Sequence, residues 1–270
     1  GNLGVTTSGS TDRASARTAN AAVGNKRNAT LLENVGGLTM TALAETVICV
    51  TGADADVTVG GRPAPLATPT IVPAGAEVVV KPARLGFRTY IAVRGGLIAD
   101  TELDSAATDM LSGLGPKPLA AGDTIAMSLT PPQSANSLLT NPLRVERDGA
   151  DVVGVVRCVL GPRDDWFDED AVDRFFATTF TVTGDSNRVG LRLESDAPLT
   201  RSRDGELPSE GMVAGSVQIP PSGQPVLFLR DHAVTGGYPV IATVINEDVD
   251  IAAQLPPGGK LRFERYTLEG

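Results

Sequence analysis

Short runs rich in Val, Ile and Thr recur along the chain, bounded by clusters of Gly, Pro, Asp and Asn. They cover residues 46–51, 56–59, 77–81, 87–93, 151–159, 179–183, 189–194, 226–230, 240–245 and 260–265. Their length and the spacing of the turn residues predict an all-β barrel or sandwich. Two stretches carry helical signals instead. In "STDRASARTANAAVG", Ser10, Thr11 or Asp12 can cap the first turn and Gly24 closes the last. In "DDWFDEDAVDRFFATT", Asp168 stands before an apolar set at Val172, Phe175 and Phe176. The acidic first turn of that helix complements its dipole. The segment "LTPPQSANSLLTNP", residues 129–142, reads as a loop or linker, which divides the chain into domains of 1–136 and 137–270.

The two halves echo each other. A shift of 148 residues lays Pro73 on Pro221, Gly75 on Gly223, Val78 on Val226 and Tyr90 on Tyr238. Four coincidences are few in a Gly- and Pro-rich sequence, but they fit two copies of one β unit, each carrying a short helix.

Composition narrows the functional classes. The 270 residues are 41% hydrophobic, enough for a core in each half. Aromatics amount to 4%, too few for a base-stacking platform, and the net charge of −9 disfavours DNA and anionic membranes. The basic residues are mostly Arg, whose planar fork suits carboxylate and phosphate. Cys49 and Cys158 each sit in an apolar run, which reads as two buried free thiols, with a disulfide as the alternative. With a single histidine and no CxxC, no structural zinc site is expected. No apolar run approaches the ~20 residues of a membrane helix and no leader is visible, so the expectation is a cytoplasmic protein.

Several catalytic motifs are missing. The sequence has no GxxxxGK[ST], no GxSxG and no HExxH, and none of its four methionines precedes a lysine. The chain is therefore expected to bind no cofactor itself; if ATP or biotin serves it, another chain or domain carries it.

The chemistry concentrates in the second half. "GDSNRVGLRLES" puts Arg188, Gly190 and Arg192 on alternating positions, expected on one strand face, where the two arginines can clamp an anion or one of them can pair with Glu194 or Glu210 at the surface. The long stretch "SEGMVAGSVQIPPSGQPVLFLRDHAVTGGYPVIATVI" supplies Glu210, Gln218, Gln224, Asp231, His232, Thr235, Gly236, Gly237 and Tyr238. Paired glycines permit close backbone approach to a ligand, and equally an ordinary turn. Asp231 reads as a general base or as a turn aspartate, and His232 as a polar contact or an exposed neighbour. Tyr238 can donate to an amide oxygen or simply pack. Glu210, Gln218 and Gln224 can orient an amide, line a partner interface or solvate a loop.

These stretches, with "SGSTDRASARTANAAVGN", "IAVRGGL", "DWF" and "NRVGLRLE", resemble the allophanate hydrolase subunit 2 family. Its members are also called KipA-like or biotin-dependent carboxyltransferase-like proteins and include the C-type component of 5-oxoprolinase. The resemblance implies a mainly β fold of two tandem cyclophilin-like β-barrel units. It implies two partners, a KipI-like B-type component and an A-type component. The activity it implies is ATP-dependent opening of 5-oxo-L-proline to glutamate. The urea carboxylase relatives suggest the alternative of carboxyl transfer to urea or a related amide. Ser8, Gly9 and Asp12 match the family's Ser-Gly-x-x-Asp start, with Ser8 expected in a groove between the halves and Asp12 as a helix cap or a substrate contact. In this reading Asp231, Tyr238 and Thr235 carry the catalysis.

Two features depart from the family. Its members begin earlier, with a strand and a Gln-Asp-x-Gly-Arg-like stretch, which implies a shortened chain or a lost edge strand. Ala233 and Val234 stand where relatives carry polar residues. Two rival classes remain open: a regulatory protein that only binds a KipI-like kinase inhibitor, and a prolyl isomerase suggested by the fold analogy alone.

Overall fold

A computed structural model describes residues 4–5, 8–128, 133–203, 205 and 207–267; the start of the expected linker, 129–132, lies outside them. The described residues form two units. All ten segments read from the apolar pattern contain a strand, and both expected helices are present.

The first unit comprises Asp12–Thr108 and Gly115–Arg144. It opens with helix α1 (Arg13–Ala22). Eight strands follow: β1 (Leu32–Val35), β2 (Leu38–Thr41), β3 (Thr46–Asp54), β4 (Val57–Val59), β5 (Arg62–Pro63), β6 (Thr70–Val72), β7 (Glu77–Val80) and β8 (Leu85–Val93). They form two four-stranded sheets, ordered β1-β8-β3-β6 and β2-β7-β4-β5. Ile48, Val50, Val72, Ile91 and Val93 of the first sheet meet Val57, Val59, Val78 and Val80 of the second in one apolar core. Strand residues alternate in direction, so Cys49, Tyr90 and Ala92 face the other way. There they pack against Ala16, Ala19, Ala22 and Val23 of α1. Small residues on α1 let it lie close to the sheet. Asp12 caps it by accepting from the Ser15 N–H at 2.9 Å, and the Asp12 N–H donates to the Tyr90 hydroxyl at 2.8 Å. A short ribbon, β9 (Leu97–Ile98) with β10 (Ala126–Met127), completes the unit.

The second unit holds the described residues of Gly1–Thr11, Asp109–Leu114 and Val145–Gly270. Its elements are β11 (Glu146–Asp148), β12 (Asp151–Leu160), α2 (Glu169–Ala177), β13 (Thr179–Val182), β14 (Gly190–Glu194), β15 (Glu210–Gly211), β16 (Ser216–Gln218), β17 (Val226–Phe228), β18 (Thr235–Gly236), β19 (Val240–Val244), α3 (Val249–Ala252) and β20 (Lys260–Arg265). Seven of these strands close a barrel in the order β12-β19-β16-β17-β14-β13-β20, with β20 returning to β12. That last pairing is parallel, from Val153 opposite Lys260 to Cys158 opposite Arg265. Alternation fills the interior: β14 buries Leu191 and Leu193 and exposes Arg192 and Glu194. Helix α2, capped by Asp168 accepting from the Ala171 N–H at 2.7 Å, sets Phe175 against Phe263 with ring centres 4.4 Å apart. Helix α3 lies against Gly154 of β12, where a side chain would crowd Ile251 and Leu255.

The fold is thus mainly β, with a closed seven-strand barrel in one unit and two facing sheets in the other. The internal echo holds in part. Gly75 and Gly223 both take positive φ, +78° and +75°, turning the chain toward β7 and β17. Tyr90 and Tyr238 do not correspond: one is fully buried in β8, the other exposed in a loop. Both cysteines are free and buried, and burial pushes each thiol up to about 12, so both stay protonated and unreactive at neutral pH. Among the described residues no helix is long and apolar enough to cross a membrane.

Candidate functional site

The polar stretch between β17 and β19 forms a loop at one end of the barrel. It is held by buried ion pairs at its start and by a two-residue ribbon at its crest. Arg230 and Asp231 are neighbours in the turn that follows β17, and their side chains reach different partners. Arg230 is 3% exposed; it donates to Asp250 Oδ1 at 2.9 Å and to Asn246 Oδ1 at 2.9 Å, tying the loop to α3. Asp231 is fully buried on the other side. Its Oδ2 accepts from Arg188 Nε at 2.8 Å and its Oδ1 from the Ser8 hydroxyl at 2.8 Å. The Arg188 guanidinium also donates to the Gly9 carbonyl. Ser8 and Gly9, far away in sequence, thereby become part of this cluster. Nearby Asp109 is buried, which alone raises its carboxyl. The N–H groups of Leu111 and Ser112, the Ser112 hydroxyl and the charge of Arg188 outweigh that and leave it lowered. His232 is largely buried, with Nδ1 2.8 Å from the Ala233 carbonyl. A carbonyl only accepts, so Nδ1 carries the proton there.

The crest is built differently. β18 pairs with β15, placing Gly236 opposite Glu210 and Thr235 opposite Gly211. Arg163 grips Glu210 with two donors: Nε, 2.9 Å from Oε1 and 3.1 Å from Oε2, and Nη2, which also donates to Oε1. Beneath the ribbon Gln218 is buried, its amide donating to the Tyr238 carbonyl at 3.0 Å and lying 3.3 Å from Met212 Sδ. A Cβ at Gly236 would overlap that amide, which explains glycine there. Tyr238 itself is 44% exposed, and the Arg201 guanidinium lies 5.7 Å from its ring centre. Thr235 and Gly237 are exposed. Among the described residues nothing accepts from the N–H of Gly237 or Tyr238. Two successive amide donors therefore lie in an exposed segment beside a guanidinium, and such donors can polarise an amide carbonyl.

The structure brings Ser8, Arg188 and Asp231 together, and separately Glu210, Gln218, Gly236 and Tyr238. Other expected residues lie apart. β14 begins only at Gly190, so the alternation does not extend back to Arg188. Arg188 turns inward to Asp231 while Arg192 faces solvent, and the two do not form a clamp. Gln224 is engaged by the backbone of Ser195, accepting from its N–H at 2.9 Å and donating to its carbonyl at 3.0 Å. Asp12 is the buried cap of α1. Sequence reasoning missed Arg163, Arg201 and Arg230, which have no periodicity to mark them and acquire partners only through folding. Among the described residues no group of three or more His, Cys, Asp and Glu is placed to hold a metal.

Arg163 lowers the carboxyl of Glu210 by hydrogen bonding and charge, against a smaller opposing effect of burial. A carboxylate with a depressed folded pKa stabilises above its unfolded pKa and loses that contribution as pH falls through the folded value. Glu210→Gln is therefore expected to destabilise at pH 7 and to match the parent once pH drops below the ordinary carboxylate range. Urea midpoints of both proteins across pH would check this.

Comparison with known proteins extends over the whole chain. It is 31% identical over 278 residues to the C-type component of 5-oxoprolinase from Escherichia coli (strain K12), covering 98% of this chain and 84% of that protein. It is 27% identical over 288 residues to urea amidolyase of Lachancea kluyveri, covering 97% of this chain and 15% of that protein. The crystal structure of the protein named TTHA0988 matches with a TM-score of 0.83 at 32% identity over 97% of this chain, which spans about half, 51%, of that solved chain. Residues 3–265 match the family described as carboxyltransferase domain, subdomain A and B, and the chain belongs to that family.

Proposed function

We propose that this protein is the C-type component of an ATP-dependent 5-oxoprolinase, opening 5-oxo-L-proline to glutamate together with a KipI-like B-type component and an A-type component. The observation that carries this reading is the likeness to the C-type component of the Escherichia coli enzyme, which runs through 84% of that protein, not through one module of a larger one. The crest of the loop supplies what a lactam needs. In this reading the exposed backbone N–H groups of Gly237 and Tyr238 polarise its carbonyl, while the Tyr238 and Thr235 hydroxyls meet other polar parts of the substrate. Asp231, enclosed and engaged by Arg188 and Ser8, fixes the start of the loop and thus the position of Tyr238; in this reading it does not move the amide proton. ATP, supplied through the partners, provides the free energy for opening the ring. With the three components mixed, ATP hydrolysis is expected to depend on 5-oxo-L-proline and to fall to background when this chain is omitted. Full activity without this chain would overturn the reading.

A second reading is carboxyl transfer to urea or a related amide, with biotin carried by a partner. The family description and the likeness to urea amidolyase favour it. Urea-dependent ATP hydrolysis with a biotin-bearing partner, and none with 5-oxo-L-proline, would decide for it.

A further inference from the structure

Among the described residues of the barrel unit four arginines are buried or partly buried: Arg163, Arg188, Arg201 and Arg230. Three have a carboxylate, Glu210, Asp231 and Asp250 respectively. Arg201 has none among the described residues. Its one hydrogen bond runs from Nη2 to the Ile219 carbonyl at 2.6 Å, and its Nε is sealed from solvent without a partner. Burial lowers its pKa, with the nearby Tyr238 phenol opposing. Arg201 is partly withdrawn from water, and that part of its hydration is not replaced by a carboxylate among the described residues.

The backbone around Arg201 is fixed. The Leu199 N–H donates to the Gly223 carbonyl at 3.0 Å and the Ser202 N–H to the Trp166 carbonyl at 2.8 Å. Arg203 pairs with Asp165 at 2.8 Å. The guanidinium is therefore positioned before any ligand arrives, so little ordering entropy opposes binding. It lies against Tyr238, the residue that also offers its N–H and hydroxyl at the crest. Ile219, which takes the Arg201 hydrogen bond, donates in turn to the carbonyl of Pro239 at 3.0 Å, so Arg201 and the crest share one support.

We propose that Arg201 is the specificity-determining cation of this site, receiving a carboxylate carried by the small amide substrate while the crest donors take its amide oxygen. The inference rests on the reading of the protein as part of an amide-acting enzyme. With Nε sealed, the Nη end of the guanidinium is the part left to meet a carboxylate, and the missing counter-charge is what such a ligand supplies. It gives a physical reason for a carboxylated lactam to be preferred over urea, which has no carboxylate.

The test uses the three-component complex with wild-type chain, Arg201→Lys and Arg201→Gln. Substrates are 5-oxo-L-proline and 2-pyrrolidinone, the same ring without the carboxylate. Arg201→Gln is expected to raise KM for 5-oxo-L-proline about thirtyfold with kcat little changed, the range lost with one charge-assisted contact. Arg201→Lys, which keeps the charge and a donor for Ile219, is expected to raise it less. It carries the test alone should the Gln variant not fold. KM for 2-pyrrolidinone should be unmoved in both. Equal shifts for the two substrates, or no shift for either, would overturn the proposal. A wild-type complex inactive on 5-oxo-L-proline would count against the functional reading instead. NMR titration of this chain with the same two compounds then decides the inference. Carboxylate-dependent binding that Arg201→Gln removes sustains it; equal binding of both compounds, or none of the carboxylated one, ends it.

Discussion

Replacing Arg188 with Met is expected to lower the unfolding free energy by about 3 kcal/mol, because it strands a fully buried carboxylate. Asp231 has no exposed surface, and its remaining side-chain donor would be the Ser8 hydroxyl, a neutral group. The figure stands at the lower end for a broken buried pair because the Arg188 side chain is 22% exposed. Urea denaturation gives the measurement. The double variant Arg188→Met with Asp231→Leu is expected to recover part of the loss, since neither charge is then abandoned. A double variant as unstable as the sum of its parents would mean that the pair acts through packing and not through charge. The consequence for activity follows from position: the same ion pair fixes the start of the loop whose crest carries Tyr238.

Phe175→Ala is expected to destabilise by about 4 kcal/mol, the range for removing a buried aromatic ring. Phe175 is fully buried against Phe180 and Phe263, its ring centre 6.0 Å and 4.4 Å from theirs. The three rings seal α2 onto strands β13 and β20, and rigid β-barrel walls on two sides leave little room to collapse into the gap. Phe175→Leu, which keeps most of the volume, should lose less than half as much. Thermal or urea unfolding of both variants would show it. Near-parent stability in the Ala variant would mean that α2 contributes little to the barrel.

The contrast between these two residues marks what a linear reading can and cannot reach. Phe175 is evident from the sequence, since Asp168 caps the helix and Val172, Phe175 and Phe176 recur at helical spacing. Strands such as Thr46–Asp54 and Lys260–Arg265 are visible for the same reason: burial imposes a local period. Leu32–Val35 is half polar without alternation, and Leu38–Thr41 alternates over only four residues, so both escape notice. Arg188 stands out in the sequence, yet its expected partner in function is Arg192, only a few positions on. Its actual partners are Asp231 and Gly9, 43 and 179 residues away, and nothing local encodes that distance. Gln224 resembles a ligand because it lies in a polar stretch; its amide closes a turn on Ser195. The ion-pair partners of Arg163 and Arg230 and the isolation of Arg201 likewise arise only from how strands far apart in the chain are brought side by side.

The parallel join between β12 and β20 has a consequence for biosynthesis. A ribosome delivers β12 early and β20 as the last of the seven barrel strands, with every other strand between them. Until residues 260–265 emerge, both β12 and β13 present a bare edge, open to the strands of neighbouring nascent chains. Closure is a late, long-range event, slow by the topology that requires it. Premature stop codons just upstream of β20 should therefore yield insoluble product in preference to a slightly weakened protein.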